Sequence, residues 1–148
     1  MQIDPPEIVE LFYSALIGPA DVEQLYRFEE LIQFLSPSVE WILSAADPQT
    51  LGEELPSNAI TFSGKEGLRQ LALYFRDGLH VISGDLTGCI THHDLVFGFG
   101  RVRLRTSGMG QVAETNIAAK LTFQASKIIK GQIRISWPLP GGDSRRPP

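Results

Sequence analysis

Arg101, Arg103 and Arg105 alternate through the run GRVRLRT, so on an extended strand all three guanidiniums share one face. Two placements are open. In one, Val96, Val102 and Leu104 point into the core and the arginines lie on a solvated or dimer-contacting outer surface. In the other, a bulge at Gly98 or Gly100 switches faces, bringing Phe97, Phe99 and an arginine inward, where a guanidinium would bind a carboxylate or an oxygen-rich ligand. The remaining chemistry-bearing residues are sparser. His92, His93 and Asp94 are metal-ligating types, but adjacent histidines at a turn diverge and no third ligand has matching spacing, so no metal is expected. His80 at the start of a strand is a structural histidine or a pocket acid–base group. Cys89, between Gly88 and Ile90, reads as a small strand residue. Neither GxxxxGK[ST] nor GxGxxG occurs, so nucleotide binding has no sequence support and no cofactor is expected.

These residues must be positioned by elements that the hydrophobic pattern specifies. Asp4, Pro5 and Glu7 supply an N-cap, a first-turn proline and a capping-box acid; Ile8, Leu11, Phe12, Ala15 and Leu16 then repeat at helical spacing up to Gly18-Pro19. Asp21 caps a second helix, whose Val22, Leu25, Phe28, Ile32 and Leu35 form one stripe while Glu23, Arg27 and Glu30 face water. That helix must end by Ser36-Pro37. Residues 38–43 read as a strand, and residues 44–60 as a long loop. Ser63 and Glu66 form a second capping box, and Leu68, Leu71, Ala72 and Phe75 line the third helix up to Gly78. Segments near 79–91, 95–106, 111–125 and 131–137 are rich in Val, Ile, Thr and Phe and are separated by turn residues, which predicts four successive antiparallel strands. Helices followed by a meander make an α+β fold, with the helices on one face of a curved sheet.

The 148 residues suit one domain, placed at residues 1–140, with GGDSRRPP at 141–148 as a flexible tail. Residues 1–60 hold 11 acids against one base, Arg27, whereas residues 61–140 hold five acids and ten bases. Attraction between an acidic helical layer and a basic sheet accounts for this more simply than a nucleic-acid partner, which the sequence pI of 5.3 also disfavours. A lone cysteine allows no intrachain disulfide, and no apolar run approaches the roughly 20 residues needed to span a bilayer. The acidic, proline-containing start does not read as a signal peptide. A cytoplasmic protein with neither membrane nor nucleic-acid partners is the expectation.

The order of two helices, a short strand, a capped helix and four long strands resembles the nuclear transport factor 2-like superfamily, in its SnoaL-like and ketosteroid isomerase-like branch. The match spans about residues 5–137, carried by FLSPSVEW from Phe34 to Trp41, FSGKEGL from Phe62 to Leu68, the run from Gly100 to Gly108, and KLTF from Lys120 followed by KGQI from Lys130. The resemblance implies a cone whose three N-terminal helices and bent, mainly antiparallel sheet enclose an apolar cavity, a small-molecule ligand, and a homodimer formed through the outer sheet face. It does not carry the branch's catalytic groups across. A ketosteroid isomerase needs a carboxylate base, a tyrosine and a protonated carboxylic acid; those roles would fall on Trp41, on Phe12 with Tyr13 beside it, and on Ala119. Glu40 neighbours the base position but points to the opposite face of its strand. In the branch resembling limonene epoxide hydrolase, Arg101 would take the arginine's role, yet the acid due two residues on is Arg103 and the next strand offers only Glu114.

Alternation on the strand at 111–125 puts Ala113, Thr115, Ile117, Ala119, Leu121 and Phe123 on the cavity wall, continued by Ile133, Ile135 and Trp137. The ligand-facing set is therefore Tyr13, Trp41, Phe75, Arg101, Ile117, Ala119, Leu121 and Trp137. A small apolar or amphipathic molecule is the expected ligand, with lyase-, isomerase- or cyclase-type catalysis lacking an identifiable residue set. The alternative is a noncatalytic binding or protein-interaction module.

Overall fold

The computed structural model describes residues 5–17, 22–45, 59–105 and 111–136. Three helices, α1 (Pro5–Ile17), α2 (Val22–Ile32) and α3 (Gly64–Leu73), pack on a curved six-stranded sheet: β1 (Leu35–Ala45), β2 (Ile60–Ser63), β3 (Val81–His92), β4 (Leu95–Arg105), β5 (Val112–Gln124) and β6 (Lys127–Ile135). The strand order is β2-β1-β6-β5-β4-β3. All neighbours are antiparallel except β1 and β6, which pair in parallel, so the meander's last strand returns beside the first strand of the chain. The predicted caps Asp4 and Asp21, the Gly18-Pro19 stop, the loop at 46–58, the turn at 107–110, Trp137 and the tail lie outside the described residues.

α1 is apolar around most of its circumference because it is covered twice. Ile8, Val9, Phe12, Tyr13, Ala15, Leu16 and Ile17 are all buried, between β3 and β4 on one side and α2 on the other. The predicted stripe of α2 is rotated. Gln24, Phe28 and Leu31 are its buried residues, whereas Val22 and Leu25 are 65% and 68% exposed. The helix stops at Ile32, and Leu35 belongs to β1, which is longer than predicted and pairs antiparallel with β2, a short strand that was not expected and that overlaps the expected 44–60 loop only at Ile60. α3 buries Gly67, Leu68 and Leu71 against β1. Ser63 stands at its N-cap in extended conformation but makes no side-chain cap bond, contrary to the predicted capping box; Glu66 instead meets Arg69, 3.7 Å away. Beyond Leu73 the chain widens into a π-helical turn, Tyr74–Gly78, closed by Leu79 N–H donating to the Tyr74 carbonyl at 2.9 Å.

The meander begins its last strand earlier than its composition suggests. β5 and β6 join through Ala125 and Ser126 at φ 53° and 67°, a tight turn with both central residues in the left-handed region and neither of them glycine or asparagine. β4 pairs with β5 without a register shift from Leu95↔Thr122 to Arg105↔Val112. The irregularities fall on β3 instead, between Val81 and Ser83 and between Leu86 and Gly88.

Candidate ligand-binding interior

The unbroken register of β4 decides the arginine question. Val96, Gly98, Gly100, Val102 and Leu104 are buried on the helix side, so Arg101, Arg103 and Arg105 lie exposed on the other. No bulge intervenes at Gly98 or Gly100, and Phe97 and Phe99 share the outer face with the arginines. The expectation that Arg101 faces the ligand is thus corrected. Its guanidinium meets Glu114 at 3.0 Å, with both side chains about half exposed, and Arg103 Nε donates to Ser83 Oγ at 3.1 Å. The acid and arginine that an epoxide-hydrolase-like site would need are therefore paired on the sheet's outer face. Glu40 is exposed, as the alternation next to buried Trp41 requires.

The other predicted side chains converge. Tyr13, Trp41, Phe75, Ile117, Ala119 and Leu121 belong to one buried cluster between the helices and the concave side of the sheet. At its centre Phe12 stacks on Trp41, with ring centroids 5.7 Å apart and planes inclined by 13°, while Tyr13 meets Phe12 edge-on at 5.9 Å. The positions matching an isomerase's tyrosine and base are here two aromatic rings in contact.

Glycines on the strands make room for these rings, a signal that sequence reading passed over as possible bulges. A Cβ at Gly98 would lie 3.1 Å from Tyr13 Cε1 and 2.6 Å from Val9 Cγ1, and one at Gly100 would lie 2.7 Å from Tyr13 Cε2. The tyrosine ring therefore rests directly on the β4 backbone. Its hydroxyl donates to the Gly98 carbonyl at 2.9 Å, with the Ile117 carbonyl of β5 further off at 3.5 Å. Burial, reinforced by nearby Cys89, holds its pKa well above the ordinary tyrosine range, so the hydroxyl stays neutral and its proton is committed to the backbone. Gly131, the register partner of Trp41 on β6, plays the same part for the indole, since a Cβ there would strike the ring's benzo edge.

The opposite edge of that indole is unusual. Trp41 is wholly buried, and its Nε1 is the buried side-chain donor without a hydrogen-bond partner among the described residues. The neighbouring Cδ1 lies 3.4 Å from where a Gly67 Cβ would stand, which directs this edge toward α3. An unpaired buried donor costs about 1–3 kcal/mol. The buried polar residues described are Gln24 and Ser44, with no acid, histidine, lysine or arginine among them. Cys89, partly buried on β3, has its thiol pKa raised by burial and by Glu10 against the lowering effect of Thr91, which makes it a poorer nucleophile. His80 is exposed, at φ 58°, with its carbonyl accepting from Arg105 N–H at 3.0 Å. His92 and His93 stack edge-on at the exposed β3–β4 turn, 4.3 Å apart. Among the described residues, no group of three metal-ligating side chains occurs and no helix is long and apolar enough to cross a membrane.

The fold is the nuclear transport factor 2-like α+β cone, with a curved and unclosed sheet. Similar solved structures include a nuclear transport factor 2-like protein from Burkholderia thailandensis, 18% identical, with a TM-score of 0.65 over 90% of this chain and 92% of that one. A ketosteroid isomerase-like protein from Catenulispora acidiphila, solved with trimethylamine, is 15% identical, with a TM-score of 0.61 over 88% and 85%. A proposed SnoaL-like polyketide cyclase from a Jannaschia species is 14% identical, with a TM-score of 0.61 over 91% and 90%. No protein-family model and no curated protein matches the sequence.

Proposed function

We propose that this protein binds a small, mainly apolar molecule between its helices and the concave face of its sheet, and that the molecule presents one hydrogen-bond acceptor to Trp41. The observation that carries this reading is the buried Trp41 Nε1, unpartnered among the described residues. Buried donors are almost always satisfied, and a ligand carbonyl or ether oxygen would satisfy this one. A lyase-, isomerase- or cyclase-type reaction would need an acid–base group that the described interior lacks, so binding is favoured over catalysis. The neighbours' ketosteroid isomerase-like and SnoaL-like descriptions support a small-molecule role in the same fold. Under the same reading the protein is a homodimer, joined through the outer face of the sheet.

The test uses 2-acetylnaphthalene, a flat apolar probe with a single carbonyl, and 2-ethylnaphthalene, which lacks it. In nitrogen-15 spectra the Trp41 indole N–H resonance, assigned with a Trp41→Phe variant, should move on adding the ketone. Trp41→Phe should weaken ketone binding by about fivefold, the worth of one net hydrogen bond, and leave the hydrocarbon unaffected. Saturable binding without a Trp41 shift, or no binding of either probe, overturns the reading.

A further inference from the structure

The rotation of α2 leaves an apolar surface that the cone does not use. Leu25 and, on α3, Leu73 are 68% and 52% exposed, and between them an open groove of about 220 Å³ is floored by Phe28 and Ala72. Ala15, Gln24, Arg69 and Arg76 complete its lining. Arg69, on α3, and Arg76, in the π-helical turn that follows it, both line the groove. Arg69 is held over the Phe28 ring, 5.5 Å from its centroid, and meets Glu29 and Glu66 at 3.5 and 3.7 Å. Those separations exceed the roughly 2.7–3.2 Å of N–H···O hydrogen bonds, so the guanidinium keeps donors to offer. Arg76 stands in the π-helical turn, is exposed, and enters no ion pair among the described residues.

We propose that this groove is a second site, distinct from the interior, for an amphipathic carboxylate: its apolar body lies on Phe28 and Ala72 between the two leucines, and its head pairs with Arg76 and Arg69. An apolar floor beside an exposed Arg76, with Arg69 keeping spare N–H donors despite its two carboxylate neighbours, suits a molecule with one anionic end and one apolar end. A neutral molecule would leave Arg76 without an anion among the described residues, and a cationic one would be repelled by it.

Titration of the nitrogen-15-labelled full chain with decanoate, below its micellar concentration, tests this. Amide shifts should centre on Leu25, Ala72 and Leu73. Decyltrimethylammonium, with the same tail and opposite charge, should bind at least about tenfold more weakly, since it exchanges attraction for repulsion at the same arginines. Arg76→Gln, an exposed change that spares the core, should weaken decanoate by up to about fivefold, the upper range for a solvent-exposed ion pair. Ala72→Phe, which fills the floor, should abolish the shifts while the remaining spectrum stays folded. Equal affinity for the two surfactants, shifts confined to the interior around Tyr13 and Leu121, or indifference to both substitutions overturns the site. So does binding of a leucine- and glutamate-containing peptide where decanoate fails, which would make the groove a protein-docking surface.

Discussion

At the scale of single residues, the interior is organised by aromatic rings resting on glycines, and Tyr13 allows this to be tested by pH. Its hydroxyl is buried and donates to the Gly98 carbonyl, and burial raises its folded-state pKa above the unfolded value. Below about pH 10 both states keep the proton and the stabilisation is whole. Above that the unfolded chain ionises while the folded one resists, so stability falls as pH rises toward the folded-state pKa. Tyr13→Phe removes both effects: it should lose about 1 kcal/mol near neutrality and then lose less than the wild type on further alkalinisation. Tyr74, also raised by burial, contributes the same trend to both proteins and cancels. Urea unfolding of the pair at about pH 8 and about pH 11 checks this, and parallel losses contradict it. The rings were legible from the sequence as candidate wall residues. Their seats were not, because a strand glycine signals either a bulge or a close approach, and only the partner strand's register separates the two.

At the scale of elements, what could be read depended on whether local pattern or tertiary cover set the outcome. The alternation on β5 was enough to separate buried Ile117, Ala119 and Leu121 from exposed Glu114 and Asn116. The face of α2 was not recoverable, because a short helix carrying apolar residues on two sides can bury either, and packing with α1 accompanies burial of Gln24, Phe28 and Leu31. The β5–β6 turn was expected at residues 126–130 and is shorter and earlier for a different reason: Ala125 and Ser126 take left-handed backbone angles that their residue types do not announce. The rotation of α2 makes a direct prediction. Leu31→Ala, at a wholly buried position, should cost about 2–5 kcal/mol, whereas Leu25→Ala should stay within about 0.5 kcal/mol of wild type. Comparable losses in chemical denaturation would restore the stripe that sequence periodicity suggests.

For the whole molecule, the charge asymmetry has a different meaning once the arginines are placed. Attraction between an acidic helical layer and a basic sheet would need the cations to face the helices, yet Arg101, Arg103 and Arg105 point away from them. The pair Arg69–Glu29 does join the two halves of the sequence, but between helices. The outer sheet face carries those arginines with Lys120 and Arg134 against Glu114 and Asp85, and exposes Ile90, Phe99 and Val112 beside them. An exposed apolar set on an otherwise charged face suits a two-fold interface, in which each copy presents the same patch to the other. Two such faces bring like charges together. Dimerisation should therefore tighten as salt rises from about 50 to about 300 mM, because screening relieves the repulsion while apolar burial persists. Phe99→Ser should weaken the dimer by about tenfold, since it removes the aromatic ring from the apolar contact without changing the charge of the face. Sedimentation equilibrium across protein and salt concentration distinguishes the alternatives: contact between the acidic helical side of one copy and the basic sheet of another would weaken with salt, and a chain that stays monomeric throughout would remove the interface altogether.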